Sequence, residues 1–315
     1  MNILSIYIGY IIDLVMGDPY SFPHPVRYIG KLIKITENKI RSIAKTDKDL
    51  KVSGFFLWFI TVGITYIITY LVIRLASFNQ FVFLTVNSII IYTTLATKCL
   101  KDEGIKIYNV LKTGDLEKSR VQLSYIVGRD TTNLSEHEII RATVETIAEN
   151  TVDGIIAPMF FAFIGGAPLA MAYKAINTLD STVGYKNEKY LNLGFASAKI
   201  DDIANYIPAR ISVILMTIGV MVLGYNYKSC FKIAIRDRKN HKSPNCAYPE
   251  GAVAGALGVE LGGTNIYFGK AVYKPTIGDR KRDIDIDDIV KTNKIMYISS
   301  VTSLILFTII GIYVF

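Results

Sequence analysis

Only three cysteines (Cys99, Cys230, Cys246) and three histidines (His24, His137, His241) occur in 315 residues, and they are widely scattered. No C-x-x-C or H-x-x-x-H spacing exists, so neither a zinc centre nor a disulfide framework is supported. Cys99 closes an apolar run and reads as a small buried hydrophobe. The string G-x-x-x-x-G-K-[ST] is missing, which excludes a Walker-type phosphate loop. No Ser/His/Asp or Cys/His nucleophile arrangement follows from spacing. Internal repeats and low-complexity segments are also lacking. Residues 2–16 are apolar but have no basic leader and no small-residue cleavage site, so they are not read as a signal peptide. The net charge is +8, but the basic residues are spread along the chain without a recognition motif. That argues against nucleic acid as a partner. It suits a membrane protein facing anionic headgroups.

Apolar residues are abundant. Hydrophobic residues make up 51% of the chain and charged residues 20%, with mean hydropathy +0.33. This balance describes a handful of membrane helices joined by substantial polar segments. Runs at 54–75, 81–97, 207–227 and 297–315 are the clearest spans. Segments 2–16 and 154–176 are membrane-associated or spanning. Asp13 within the first implies a protein-facing position. The second is interrupted by Gly165-Gly166-Ala167-Pro168, which suits a re-entrant or two-part helix lining a cavity. The expected fold is therefore all-α: one polytopic membrane domain over 1–315, with about four to six embedded helices and helical polar loops. Lys and Arg number eight in 17–53, eight in 98–153 and thirteen in 228–294, which places these loops on the cytoplasmic side of the cell membrane. Segments 154–176 and 207–227 must then both cross or both fail to cross, and both arrangements stay open.

The richest polar segment is LSEHEIIRATVETIAENTVD at 134–153. Ser135 with Glu138 three residues later is a capping-box signature. At ~100° per residue, Glu138, Arg141, Glu145, Glu149 and Asp153 share an arc of about 120°, opposite Ile140, Val144 and Ile147. Taken alone this is a solvated face with an Arg141–Glu145 pair. The stripe, however, runs straight into the broken apolar segment, and more carboxylate–carboxamide clusters follow. Asn150/Asp153 and Asn177/Asp180 repeat N-x-x-D, and Asp201-Asp202 precede Asn205. Hard oxygen ligands one turn apart suit Mg²⁺ shared with phosphate oxygens.

A cationic theme accompanies the acidic one. Pro23-His24-Pro25-Val26-Arg27 is an extended segment that presents His24 and Arg27. Gly128-Arg129-Asp130-Thr131 is a turn before the carboxylate helix, and Lys174 and Lys186 flank the Asn177/Asp180 cluster. Such cations grip phosphate or simply meet headgroups. The glycine-rich stretch 243–269 reads better as helix packing than as a cofactor loop.

Taken together, these strings resemble the adenosylcobinamide-phosphate synthase family, the CbiB/CobD cobalamin biosynthesis proteins. The resemblance is carried by GDP at 17–19, HPVRYIG at 24–30, GRDT at 128–131 and ATVETIAENTVDGIIAP at 142–158. AYKAINTLDSTVGYKN at 172–187, SAKIDDIANYIPAR at 197–210 and SPNCAYPEGAVAGALGVELGG at 243–263 complete it. Cys246-Ala247-Tyr248 departs from the expected Ala-Gly-Trp. The resemblance implies a carbon–nitrogen ligase that joins adenosylcobyric acid to (R)-1-aminopropan-2-ol phosphate, or a similar amino alcohol, with ATP and Mg²⁺. An acyl phosphate is the expected activated carboxylate. It implies Glu145, Glu149, Asp153, Asp201 and Asp202 as metal residues, with Glu145, Asn150, Asn177 and Asp180 at the reacting groups. His24, Arg27, Arg129 and Lys174 would hold phosphates. Partners would be these substrates, membrane lipid and other late cobalamin-assembly enzymes.

Two other classes share parts of this pattern. A prenyl or diphosphate transferase would also bind Mg²⁺ through acidic motifs, but N-x-x-D and D-D-x-x-N do not form its paired D-x-x-x-D. A transporter of an anionic or corrinoid solute would carry fewer charged loops and an inverted repeat.

Overall fold

Long apolar runs with no two-residue alternation favour helices, and helices dominate the computed structural model. It describes residues 3–19, 21–267 and 270–314, with backbone alone at 266–267, 270–271 and 314. In chain order the elements are α1 (Ile3–Met16), α2 (Pro25–Ile43), α3 (Asp47–Ala76), α4 (Gln80–Tyr92), α5 (Thr97–Leu111), α6 (Leu116–Ser124) and α7 (Glu136–Thr151). A single wide π-turn at Val152–Ile156 precedes α8 (Ala157–Val183). Then come α9 (Phe195–Ala204), α10 (Tyr206–Val222), α11 (Tyr227–Arg236), α12 (Ala247–Leu257), β1 (Glu260–Tyr267), β2 (Lys270–Gly278) and α13 (Asp287–Val314). Among the described residues four helical stretches are long and apolar enough to cross a membrane: Asp47–Ala76, Gln80–Leu111, Glu136–Val183 and Asp287–Tyr313. Phe195–Ala204 with Tyr206–Val222 makes a fifth if the pair counts as one span. The chain is thus a mostly helical polytopic membrane protein. Ile3–Met16 is apolar but short; residue 2 lies outside the described residues.

Contacts group the chain into two compact units. The first comprises Met1–Ala96, Ala157–Asn205 and Phe307–Phe315. Its packing is that of a protein in lipid. On α3, Phe56, Phe59, Ile67, Ile68 and Leu71 are exposed, while Thr61, Thr65 and Thr69 are buried. The Thr65 and Thr69 hydroxyls donate to the carbonyls four residues back, at 2.7 and 2.8 Å. Small polar side chains face the bundle and large apolar ones face outward, as expected where lipid replaces water. Asp13 is fully buried, the protein-facing position its charge requires. Ile29 and Ile33 of α2, Leu57 of α3, and Met171, Ala175, Leu179 and Val183 of α8 form one apolar core.

The expected break in 154–176 is present. Gly165 (φ −141°, ψ 21°) and Gly166 (φ 65°, ψ −161°) leave helical geometry inside α8. Phe161 and Tyr173 stack with ring centroids 5.0 Å apart, whereas twelve residues of continuous helix would separate them by about 18 Å. The chain therefore reverses here, and the two halves of α8 form a helical hairpin.

The second unit comprises Thr97–Ile156 and Tyr206–Leu306. Every residue of α12 is buried. Gly251 and Gly255 lie so close to α11 that a Cβ at 251 would stand 2.9 Å from the Ala234 Cα. Close packing thus explains that glycine spacing, as the sequence suggested. The β1–β2 hairpin was not anticipated, because residues 260–278 show no clean alternation. Its strands pair antiparallel, Glu260 opposite Gly278 and Thr264 opposite Tyr273, with a bulge between Leu261 and Gly263. The tip, residues 268–269, lies outside the described residues.

Gly166 occupies a backbone region essentially restricted to glycine. Gly166→Ala is expected to lower unfolding stability in detergent by about 1–3 kcal/mol. Gly30→Ala, in α2 with open space around its Cβ position, is expected to cause no loss. Equal melting temperatures for the two variants would contradict the reversal.

Candidate functional site

The capping box that begins α7 is present: the Ser135 amide donates to the Glu138 carboxylate at 2.9 Å, and the Glu138 amide donates back to Ser135 Oγ. Beyond it the acidic stripe is not a solvated face. Glu145 is buried, and each of its oxygens is engaged. Arg129 Nη2 donates to Oε2 at 2.6 Å, and the Gly262 amide donates to Oε1 at 2.8 Å. Arg141 Nε stands 3.8 Å from Oε1. Arg129 is equally buried and also donates to Asn265 Oδ1. Arg141 Nη2 donates to the same Asn265 oxygen and to the Thr264 carbonyl, both at 3.3 Å.

The hairpin meets α7 so closely because of glycine. Gly262 and Gly263 both have positive φ, 86° and 87°. A Cβ at 262 would stand 2.6 Å from the Pro275 carbonyl oxygen, and one at 263 would stand 2.9 Å from Arg141 Nη1. The bulge thereby turns the Gly262 amide toward Glu145.

Against this lattice lies a recess of about 110 Å³. Arg129, Glu145, Thr146, Glu149, Asn150, Glu250 and Lys274 supply its polar lining. Asn150 Nδ2 donates to the Thr146 carbonyl at 2.9 Å. Cys246 Sγ donates to Glu149 Oε1 at 3.0 Å. Burial pushes the Cys246 thiol well up, helped by the charges of Glu149, Glu250 and Asp153, so the sulfur stays protonated. Glu250 is 1% exposed. Burial raises its carboxyl well above the usual range; Lys274 pulls it back, and Glu145 and Glu149 push it further. His241 is driven down to about 4 by burial and by the Lys274 charge, so it is neutral near pH 7. Asp153 sits in the π-turn, a local widening common at functional sites.

Another polar cluster lies in the first unit. Tyr173 donates from its hydroxyl to Asn205 Oδ1 at 2.8 Å, and Asn205 Nδ2 donates to Asp201 Oδ2 at 3.1 Å. Asp201 is buried, with Asp180 and Asp202 as its charged neighbours and Asn177 as a further hydrogen-bonding neighbour. Lys199 pairs with Asp202 at 3.6 Å. Lys174 lies partly buried one turn before Asn177 and Thr178, and its carbonyl accepts from the Thr178 hydroxyl at 2.6 Å. His24 caps α2, its Nδ1 accepting from the Val26 amide at 3.3 Å, with Nε2 3.5 Å from Asp18 Oδ1. Arg27 is exposed on the first turn of α2.

The residues singled out from sequence thus fall into two groups. Arg129, Glu145, Glu149, Asn150 and Asp153 belong to the second unit. His24, Arg27, Lys174, Asn177, Asp180, Asp201 and Asp202 belong to the first. Sequence reasoning missed Glu250, Lys274, Cys246 and Asn265. For Glu250 a signal existed: a lone carboxylate within a Gly/Ala-rich buried helix is costly unless it has a task. For Lys274 and Asn265 none did, since an unforeseen hairpin delivers them.

Among the described residues no three His, Cys, Asp or Glu side chains converge as a metal cage. The donors available at the recess, Glu149 and Asn150, are hard oxygens. They fit a magnesium ion that keeps waters and phosphate oxygens as its remaining ligands.

Comparison with known proteins places the chain in context. Residues 6–296 match the family described as CobD/Cbib protein. The cobalamin biosynthesis protein CobD of Clostridium tetani is 52% identical over 308 residues, covering 98% of this chain and 97% of that one. Its counterpart from Clostridium perfringens is 55% identical over 294 residues, 93% of each. The cobalamin biosynthesis protein CbiB of Salmonella typhi is 48% identical, covering 98% and 97%. No solved structure matches.

Removing one partner of a buried ion pair strands the other charge. Glu145→Ala is therefore expected to cost about 3–5 kcal/mol of stability, with Arg129→Ala similar and the double variant costing less than the sum. Additive losses in a double-mutant cycle would contradict the pairing. For His241 the folded value lies below the ordinary 6.5. Its contribution to stability is present above pH 6.5 and is lost as the pH falls toward 4, by about 3 kcal/mol at most. His241→Gln should flatten the acid limb of a melting-temperature profile between pH 7 and 4. An unchanged limb would show that this imidazole is not held neutral.

Proposed function

Because the chain belongs to the CobD/CbiB family of cobalamin biosynthesis proteins, we propose that it is a membrane-embedded, ATP-dependent carbon–nitrogen ligase. It joins the carboxylate of adenosylcobyric acid to the amine of (R)-1-aminopropan-2-ol phosphate, or a similar amino alcohol, and yields adenosylcobinamide phosphate. The protein sits in the cell membrane with its Lys/Arg-rich loops on the cytoplasmic side.

A carboxylate does not accept an amine at neutral pH without activation. A carboxylate oxygen takes the terminal phosphoryl group of ATP and ADP leaves, giving an acyl phosphate; the amine attacks its carbonyl carbon, phosphate leaves with the bonding electron pair, and the amine's proton passes to water or phosphate. Such chemistry asks the protein mainly for positioning and charge neutralisation. The observation that carries the reading is the recess beside the Arg129–Glu145 pair, where two cations and two further carboxylates converge. In it Arg129 and Lys274 hold phosphate oxygens, and Glu145 fixes the guanidinium rather than meeting a ligand itself. Glu149 and Asp153 in the second unit, and separately Asp201 and Asp202 in the first, are the residues suited to hold Mg²⁺, which when bound would neutralise phosphate charge. Asn150 in the second unit, and Asn177 and Asp180 in the first, are the residues suited to orient substrate amine or carboxylate groups. His24, Arg27 and Lys174 supply charge for the remaining phosphate.

The test is mass-spectrometric detection of the amide from adenosylcobyric acid, amino-alcohol phosphate and Mg-ATP, with each omitted in turn. Product is expected only from the full set. Glu149→Gln and Lys274→Met, confirmed as folded, are expected to slow it at least about 100-fold. Product formation without ATP, or both variants within a few-fold of wild type, would overturn the assignment.

A further inference from the structure

α11 carries two apolar faces, and only one is used inside its unit. Cys230, Ile233 and Ala234 are buried, with α12 packed against them. Tyr227, Phe231 and Ile235 remain 40%, 48% and 38% exposed. At ~100° per residue these three fall within about 80° of one another, and Lys228 and Lys232 occupy the adjoining stripe. Both lysines are exposed. Neither makes an ion pair among the described residues. Around the helix, then, run a core side, an apolar outward side and a basic side.

The surroundings say what covers the outward face. α10 is an apolar helix whose outward side also exposes large apolar residues, Ile214, Met221 and Val222. Residues 223–226 turn the chain, and Asn226 caps α11 by accepting from the Ser229 amide at 3.0 Å. The chain thus passes from the exposed apolar end of a candidate span, through one short turn, straight into α11. We propose that α11 lies in the plane of an anionic phospholipid surface, with Tyr227, Phe231 and Ile235 in the acyl boundary and Lys228 and Lys232 on the headgroup phosphates. This is the pattern of an interfacial helix, in which apolar burial and headgroup attraction act together. A second copy of the chain would set the lysine stripe against its own equivalent, and a soluble partner would leave the continuity with α10 unexplained.

The chain has a single tryptophan, Trp58, so the test uses the full protein with Trp58→Phe and one new reporter, Phe231→Trp or Ile235→Trp. Each is reconstituted in nanodiscs containing phosphatidylglycerol, with and without bromine on the headgroup-proximal acyl carbons. Bromine is expected to lower emission at least about twofold at both positions and to have little effect on a Lys239→Trp reporter. Adding Lys228→Gln and Lys232→Gln to the Phe231→Trp chain should weaken that quenching. Two positions keep the test valid if one variant misfolds. Emission indifferent to bromine but quenched by aqueous acrylamide would overturn the proposal, and so would quenching equally strong in purely zwitterionic lipid.

Discussion

Burying a carboxylate and a guanidinium side by side is the constraint on which the second unit's polar chemistry depends. Glu145 and Arg129 are both withdrawn from solvent, so each needs the other and further hydrogen bonds besides. The Gly262 amide supplies one to Glu145, and Asn265 accepts one from Arg129. This ties α7, the turn before it and a β-bulge into one arrangement. A guanidinium fixed in this way presents its donors in a set direction, which is worth more to phosphate recognition than a mobile surface cation.

Around that pair the recess sets carboxylates and cations within reach of one another. Lys274 restrains the rise that burial imposes on Glu250, and it adds to the burial that keeps His241 neutral. Removing any one charge therefore alters the others, and substitutions here should show non-additive effects. In the first unit, Asp201 and its carboxylate neighbours form an arrangement of the same oxygen-rich kind. It is built on the reversed α8, where two glycines allow the turn.

Much of this was legible in the sequence, for identifiable reasons. Periodicity and a capping box give α7 and its stripe, and a Gly-Gly-Ala-Pro string inside an apolar run gives the break in α8. Length and hydropathy give the spans. What local pattern could not supply was the hairpin, whose strands alternate poorly and whose bulge depends on φ at Gly262 and Gly263. Lys274 and Asn265 therefore stayed invisible. Glu145 is legible as part of the polar stripe, but which of its atoms are engaged is not, since its partners lie 16 and 117 residues away. Glu250 lies among neighbours that read as packing, although a carboxylate in such company is itself a signal.

The most direct test of the central claim, that the Arg129–Glu145 recess receives the nucleotide's phosphates, is labelling with an acyl-phosphate derivative of ATP. Such a probe acylates a lysine held beside the terminal phosphate. In the reconstituted protein with Mg²⁺, the account predicts that peptide mapping finds the label on Lys274 and that excess ATP removes it. Labelling confined to Lys174 or to surface lysines, with Lys274 untouched in active protein, would contradict it.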